Sequence, residues 1–249
     1  MSSIDDHTGR AARHISLPQI GPAGQQSVAD STALIIGLGG IGCAAASYLA
    51  SSGIGHLVLN DFDTVDATNL GRQILYGPAD IGELKAQRAA AALRRINPAV
   101  RLTVVTDRMD AKSLAGAAAL SDVVLDGTDN FATRFQVNEA CVSASRCLIS
   151  GSAIRFEAQL AVFGPDFGTS PCYRCLYSEA DESLEDCAGS GVLAPVPGMI
   201  GSMMATEALK TLTGNPAAVG RLALYEGLSG EWRRVTIRKQ PDCPVCAER

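Results

Sequence analysis

A glycine-rich segment near the start of the chain, residues 37–42, reads Gly-Leu-Gly-Gly-Ile-Gly. It follows a short apolar run at 33–36 and precedes a stretch rich in helix formers at 41–51. Glycines at this spacing let backbone amides at a helix N-terminus approach a phosphate group. Asp61 lies 19 positions after Gly42 and suits the acidic end of the second strand in a βαβ unit. The segment predicts a nucleotide-binding turn, although a turn that only packs a helix on a strand would look similar.

The next hundred residues alternate between apolar runs and helical patterns. The predicted strands lie at 56–59, 102–105, 123–125 and 148–149, and the predicted helices at 83–96, 111–120 and 131–144. Strands that alternate with helices indicate an α/β fold with a doubly wound, mostly parallel sheet.

The pattern changes after residue 151. The predicted elements are an exposed strand at 158–163, an irregular cysteine-rich stretch at 171–191, a helix at 199–212 and an antiparallel pair at 221–225 and 231–238. The antiparallel pair is joined by a glycine-bearing turn. The sheet is therefore expected to carry an antiparallel C-terminal extension.

The chain is expected to form one domain of 249 residues. Residues 1–31 are polar and contain several Pro and Gly, so they predict an arm with at most a short helix. Residues 32–151 would form the nucleotide-binding half, and residues 152–249 a second half with a different function.

Composition excludes several classes of protein. Hydrophobic residues make up 47% and charged residues 19%, as in ordinary globular domains. The formal charge of −5 offers no footprint for nucleic acid or for an anionic membrane. The longest apolar-looking stretch, 192–205, is interrupted by Pro and Gly and is too short to span a bilayer. The first 14 residues lack a continuous apolar core, so we expect a cytoplasmic protein.

The charged residues after the glycine turn favour triphosphate chemistry over hydride transfer. A hydride-transfer site needs an acid or base beside the substrate carbonyl, but none of the three histidines follows a later strand. Attack of a carboxylate on an α-phosphate joins two anions, so it requires fixed cations and usually magnesium. Arg72 and Lys85 are the candidate cations, and Asp129 is the candidate magnesium ligand. Either cation alone would be read as a solvated surface charge.

Two Cys-x-x-Cys pairs form a second candidate site. Their members are Cys172, Cys175, Cys243 and Cys246. Four thiolates are the number that tetrahedral zinc takes, and two intervening residues suit a turn that aims both sulfurs at one ion. Because the set contains no other ligand and implies no open position, the site is expected to be structural and to clip the C-terminal tail onto the cysteine-rich stretch. Four unligated thiols are the alternative.

Cys187 is a third candidate. It lies in a polar, glycine-bearing stretch, where an exposed thiol can act as a nucleophile if its thiolate is stabilised. The adjacent Glu185 and Asp186 are expected to raise its pKa, which argues against high reactivity. The residues alone leave a thiol role for Cys187 open.

Taken together and in this order, the motifs resemble those of the MoeB/ThiF/HesA adenylyltransferases of ubiquitin-like sulfur carriers. The resemblance extends from Arg10 to Cys246. It implies the ubiquitin-activating type of fold, a homodimer, ATP, magnesium and structural zinc. The implied nucleotide-binding residues are Gly37, Gly39, Gly40, Gly42, Asp61, Asn69, Arg72, Gln73, Lys85, Asp129 and Asn130. In this resemblance Asp61 binds the ribose, Asn69, Arg72 and Lys85 the phosphates, and Asp129 the magnesium ion.

The resemblance also implies a reaction and its partners. ATP and the C-terminal Gly-Gly tail of a small sulfur carrier would give an acyl-adenylate and pyrophosphate, before thiocarboxylate formation. Sulfur would come from a separate donor protein of the cysteine desulfurase or rhodanese type, because no rhodanese segment is expected after Cys246. Arg13 matches the arm arginine that reaches the γ-phosphate of the partner subunit's ATP, and Cys187 matches a cysteine on the loop that the carrier tail crosses. Residues 152–249 would bind the carrier and the zinc.

Two short sequence stretches, 60–65 and 150–155, resemble the molybdopterin branch of this family more than the thiamine branch. Other functions stay open on the sequence alone. The same fold would also suit adenylation of a small-molecule or tRNA carboxylate, and the acidic balance disfavours tRNA. A non-catalytic nucleotide-binding scaffold and an NAD-dependent oxidoreductase are the remaining alternatives.

Overall fold

The computed structural model describes residues 6–177, 191–215 and 217–248. The strands are β1 Thr32–Ile36, β2 His56–Asn60, β3 Arg101–Val105, β4 Val123–Asp126, β5 Cys147–Ile154, β6 Glu157–Phe163, β7 Arg221–Glu226 and β8 Glu231–Thr236. The helices are α1 Asp6–Ile15, α2 Gly21–Asp30, α3 Gly40–Ser51, α4 Lys85–Ile96, α5 Ala111–Ala119, α6 Phe131–Ala144, α7 Tyr173–Leu176 and α8 Pro195–Leu212. Short 3₁₀ turns lie at Ala67–Asn69 and Pro78–Asp80.

The described strands form one eight-stranded sheet in the order β3-β2-β1-β4-β5-β6-β7-β8. The strands from β3 to β5 are parallel, and β6, β7 and β8 continue the sheet in antiparallel fashion. The predicted doubly wound fold with its antiparallel extension is confirmed. From β1 the strand order runs to one edge of the sheet through β2 and β3, and from β4 it runs toward the other edge. Sheets of this type have a ligand crevice at this change of direction, at the carboxyl ends of the strands.

Apolar side chains cover both faces of the parallel part, as such sheets require. On one face α3, α4 and α8 pack Leu49, Leu93 and Ile200 into the core. On the other face α5 and α6 pack against Leu148 and Phe163, and this second cluster continues to the four cysteines of the Cys-x-x-Cys pairs. No helix in the described ranges has both the length and the apolar character needed to cross a bilayer.

The N-terminal prediction is wrong. Two ten-residue helices, α1 and α2, replace an arm with at most a short helix. Pro22 lies in the first turn of α2, where its missing N–H removes no helical hydrogen bond. Gln25 donates to the Ser52 carbonyl oxygen at 2.8 Å, so tertiary contact stabilises a helix that has a weak sequence pattern.

The reading of 158–163 as an exposed strand is also wrong. β6 lies between β5 and β7, and Leu160, Val162 and Phe163 are buried. The alternation was misleading because α8 covers one face of the strand and the aromatic residues around α7 cover part of the other. The predicted antiparallel pair of β7 and β8 is confirmed.

Candidate nucleotide site and metal centre

A cavity of about 700 Å³ opens at the carboxyl ends of β1, β2 and β4. This volume lies within the range of small-molecule sites, roughly 300–1,000 Å³. The predicted nucleotide-binding residues that line the cavity are Gly37, Gly39, Gly40, Asp61, Asn69, Arg72, Gln73, Lys85, Asp129 and Asn130. The fold therefore brings together residues from five separate stretches of the chain: 37–40, 61, 69–73, 85 and 129–130.

The glycine turn forms the floor between β1 and α3. Gly37 has a left-handed φ of +82°, and a Cβ there would lie 3.1 Å from the carbonyl carbon of Gly127 at the end of β4. Gly42 does not line the cavity. It packs against the turn instead, because a Cβ at this position would lie 1.9 Å from the Gly37 carbonyl oxygen. Gly42 thus lets α3 begin close against the turn, whereas Gly39 and Gly40 face the cavity. The first turn of α3 has no side-chain cap, and such uncapped amides suit an anion.

Asp61 fixes the turn to the second strand. Its Oδ2 accepts a hydrogen bond from the Leu38 N–H at 2.7 Å, and its Oδ1 accepts one from the Asp63 N–H at 2.9 Å. Burial raises the pKa of Asp61, and the two N–H bonds act in the opposite direction. Each carboxylate oxygen has a second lone pair, so the group can still accept a hydrogen bond from a ligand hydroxyl.

The two predicted cations are held in different ways. Lys85 begins α4 with its side chain only 9% exposed, and its Nζ lies 3.0 Å from Asp63 Oδ2. Arg72 is half-buried and donates from Nη1 to the Thr68 carbonyl oxygen at 3.0 Å. Gln73 is buried, and its Oε1 has no partner among the described residues. These side chains line the same cavity as the exposed Asp129.

Sequence reasoning missed several residues of the cavity. Arg108 places its guanidinium carbon 4.5 Å from the centre of the Phe62 ring, a cation–π arrangement. Arg134 donates from Nε and Nη2 to the Thr128 carbonyl oxygen at 3.2 and 2.6 Å. Arg134 lies in the first turns of the predicted helix that follows Asp129, whereas Arg108 lies on an irregular segment that carries no sequence signal.

The loop that presents Asp129 is braced from the strand before it. Asp126 is 1% exposed, and its Oδ1 accepts hydrogen bonds from Thr128 N and Oγ1 at 3.0 and 2.7 Å. Burial raises the pKa of Asp126, and the nearby Arg134 charge opposes that shift. The cavity is lined by the cations Arg72, Lys85, Arg108 and Arg134 and the carboxylates Asp61, Asp63 and Asp129. The four positive groups exceed the three negative ones, which suits an anionic ligand.

The two Cys-x-x-Cys pairs meet in the second core cluster. All four sulfurs lie within 4.8 Å of one another. Cys172 Sγ is 3.6 Å from Cys243 Sγ, and Cys175 Sγ is 3.5 Å from Cys246 Sγ. A tetrahedral zinc with Zn–S bonds of about 2.3 Å would separate its sulfurs by about 3.8 Å. Four buried thiols at this spacing fit one tetrahedral ion.

Lys239 ties the C-terminal pair to the rest of the fold. Its ammonium donates to the carbonyl oxygens of Phe167, Gly168 and Cys246. The chain after β8 therefore returns to α7, as the predicted clip requires.

The structure does not bring Arg13 to the cavity, and it does not describe Cys187. Arg13 is exposed on α1 and does not line the cavity of its own chain. Cys187 falls within 178–190, outside the described residues.

Glycines, cations and a carboxylate line one cavity where the strand order of a doubly wound sheet changes direction, which is the arrangement of a Rossmann-type nucleotide-binding fold. The ThiF family matches residues 11–245, and the chain belongs to this family. It is 44% identical over 237 residues to the sulfur carrier protein ThiS adenylyltransferase of Escherichia coli, which covers 95% of this chain and 94% of that protein.

The molybdopterin-synthase adenylyltransferase of the same organism is also 44% identical, over 245 residues and 98% of both chains. Equal identity favours neither the thiamine nor the molybdopterin branch. Among solved structures, E. coli MccB with ATP has a TM-score of 0.83 and 23% identity, covering 98% of this chain and 75% of that one. At this identity the likeness concerns the fold alone.

Proposed function

We propose that the protein adenylates the C-terminal glycine carboxylate of a small ubiquitin-like sulfur carrier, with ATP as the donor. The carrying observation is that Arg72, Lys85 and Asp129 line one cavity beside the glycine turn. The names of the two bacterial relatives, which match this chain over almost its whole length, describe adenylyltransferases, one of them for the sulfur carrier protein ThiS.

In the proposed reaction a carrier carboxylate oxygen attacks the α-phosphorus of ATP. A new P–O bond forms, the bond from the α-phosphorus to the bridging oxygen breaks, and pyrophosphate leaves with that electron pair. In this proposal Arg72 and Lys85 neutralise the phosphates and the Asn69 amide donates to them. The N–H groups of Gly39 and Gly40 donate to phosphate oxygens, and Asp61 accepts hydrogen bonds from the ribose hydroxyls. Gln73, whose buried carbonyl oxygen has no partner among the described residues, closes the cavity above Gly39.

Magnesium belongs to the same proposal. Asp129 and Asn130 offer oxygen ligands at the cavity, the kind that magnesium prefers. When bound, the ion would neutralise charge on the phosphate oxygens. Zinc is proposed for the four-cysteine cluster, where it would hold the chain after β8 against α7.

Further partners extend the proposal. A homodimer would bring the partner subunit's arm arginine, the counterpart of Arg13, to the γ-phosphate, which agrees with the exposure of Arg13 on α1. A separate sulfur donor would carry the persulfide whose outer sulfur displaces AMP from the acyl-adenylate, and a thiol would then cleave the resulting acyl disulfide to release the thiocarboxylate. Cys187 is kept as a candidate for a thiol role in that later step.

The test is ATP–pyrophosphate exchange with purified carriers of the molybdopterin and thiamine types. We expect exchange with at least one carrier that ends in Gly-Gly, and none with the same carrier lacking its last glycine. The carrier with the higher kcat/KM assigns the branch, since sequence identity does not. Absence of exchange with every such carrier would contradict the proposal.

A further inference from the structure

Helix α6 extends from the nucleotide cavity to the cysteine cluster. Its N-cap is Asn130, which follows Asp129 directly and accepts a hydrogen bond from the Thr133 N–H at 2.9 Å. Asn138 lies two turns further along and is fully buried. One helix therefore carries polar groups to both sites.

At the cluster, the amide of Asn138 bonds to two consecutive residues. Its Nδ2 donates to Cys172 Sγ at 3.6 Å, and its Oδ1 accepts from the Tyr173 N–H at 2.8 Å. An N–H that donates to a ligand sulfur is an outer-shell contact, and such contacts orient the ligand and tune its metal affinity. Asn138 thus fixes the first Cys-x-x-Cys pair to α6.

Aromatic packing strengthens the same junction. The Tyr173 ring meets Phe135 of α6 edge-on, with 5.9 Å between ring centres, and meets Phe163 of β6 in the same way at 5.8 Å. Because packed rings have few alternative arrangements, a displacement of α7 would be transmitted to α6.

At the cavity, α6 holds the peptide that precedes Asp129. Arg134 lies four positions before Asn138, on the same helix face. Its Nε and Nη2 both donate to the Thr128 carbonyl oxygen as a two-pronged fork. On the other side of the same residue, the Thr128 N–H donates to Asp126 Oδ1 at 3.0 Å. The position of Asp129 is therefore set jointly by β4 and α6.

We propose that Asn138 and Arg134 are positioning residues that couple the cysteine cluster to the carboxylate of Asp129. Occupation of the cluster by a metal fixes α7, Asn138 transfers that constraint to α6, and Arg134 transfers it to Thr128. The inference rests on the proposed function for the role of Asp129, whereas the link from Asn138 to the cluster stands independently of it.

The test compares Asn138→Asp with Asn97→Asp in the full chain. Asp at 138 keeps the acceptor for the Tyr173 N–H but sets a carboxylate against the Cys172 sulfur. Asn97 is a matched control, because it is also buried, donates to the Ala50 carbonyl oxygen at 2.9 Å and accepts from the Ala99 N–H at 3.1 Å. It is the C-cap of α4 and contacts the end of α3, away from the cluster.

Two measurements follow. Zinc release to a chromophoric chelator reports the cluster, and calorimetric ATP binding at a series of Mg²⁺ concentrations reports Asp129. For Asn138→Asp we expect zinc affinity to fall about 10-fold to 100-fold, and the Mg²⁺ concentration for half-maximal ATP binding to rise. Asn97→Asp should alter neither.

Arg134→Lys tests the other end of the helix and covers the case in which Asn138→Asp does not fold. It removes the fork on Thr128, so the Mg²⁺ requirement should rise while zinc release stays as in the wild type. Zinc release from Asn138→Asp at the control rate, or an unchanged Mg²⁺ requirement in either Asn138→Asp or Arg134→Lys, overturns the coupling. Failure of the proposed function would look different: no carrier would support exchange, while zinc release and Mg²⁺-dependent ATP binding would still respond.

Discussion

The nucleotide cavity and the four-cysteine cluster are built on opposite physical plans. In the cavity, Asp129 is exposed, Arg72 is half-buried and the cations outnumber the carboxylates, so charge is left for a ligand. In the cluster, the sulfurs are buried and close enough to fill every position around one ion. An open site exchanges ligands, and a closed one retains a single ion.

The two sites also differ in how the chain assembles them. The cavity forms where the strand order of the parallel sheet changes direction, because the carboxyl ends of β1, β2 and β4 and the loops after them meet there. The cluster comes from a distant return of the chain, in which residues after β8 reach α7. Loss of one charged side chain in the cavity should therefore impair the reaction, whereas loss of one cysteine from the cluster should lower the stability of the fold.

The largest expected effect breaks the open site. Lys85→Ala should slow ATP–pyrophosphate exchange about 10²-fold to 10³-fold, because a cation that meets developing phosphate charge contributes about 3–4 kcal/mol. Arg94→Ala is the matched control, since Arg94 is an exposed cation on the same helix α4. Steady-state exchange assays compare the two. Equal rates in both variants would mean that Lys85 does not meet developing phosphate charge.

The next effect breaks the closed site. Cys243→Ser should lower zinc content well below one ion per chain and reduce the free energy of unfolding, because binding to a structural metal site adds to folding stability. The loss should be about 3–4 kcal/mol at free zinc 100-fold to 1,000-fold above its dissociation constant. Metal analysis and urea denaturation measure the two quantities.

Cys147→Ala is the control for this variant, since Cys147 is buried in β5 beside Thr211, outside the cluster. It should keep its zinc and lose only about 1–2 kcal/mol from the smaller side chain. A structural metal site would be contradicted if wild-type protein were purified without metal and the four cluster cysteines reacted freely with a thiol reagent.

The contrast also shows what the sequence can reveal. The bounds predicted for α6 agree with the structure, and its start is marked locally by Asn130 as N-cap. Its end at Ser145 has a left-handed backbone without the Gly or Asn that would signal it in the sequence. The proximity of the two Cys-x-x-Cys pairs could be predicted because the number and spacing of the cysteines match those of a four-sulfur metal site. The Lys85–Asp63 pair and the Arg108–Phe62 contact were missed because tertiary packing creates them. The burial of β6 was missed for the same reason.

A smaller effect concerns pH. Burial raises the pKa of Asp126, so between its usual value of 3.8 and the raised value the folded state binds more protons than the unfolded one. Stability contributed by this group therefore falls as pH rises through that window. Relative to wild type, Asp126→Asn should gain stability from pH 4 upward, as measured by urea denaturation in steps of about half a pH unit.

Asp110 provides the opposite sign. Its carboxylate caps α5 through Ser113, and these hydrogen bonds lower its pKa. Its contribution is present above pH 3.8 and is lost as pH falls through the lowered value. The stability difference between wild type and Asp110→Asn should thus have a pH slope of opposite sign to that of Asp126→Asn, and it should appear below pH 3.8 rather than above it. Parallel slopes would show that Asp126 is not held in the environment described.

The smallest effect sharpens the account of the open site. Asp63 is 56% exposed, and its pair with Lys85 resembles a surface ion pair, worth about 0–1 kcal/mol. In Asp63→Asn the ammonium of Lys85 loses a competing carboxylate and the cavity loses a negative charge, so ATP should bind up to about fivefold more tightly. Calorimetric titration with ATP at fixed Mg²⁺ measures the change. If ATP instead binds several-fold more weakly, Asp63 is needed to hold Lys85 in place, and the cavity is more rigidly preorganised than its exposed charges indicate.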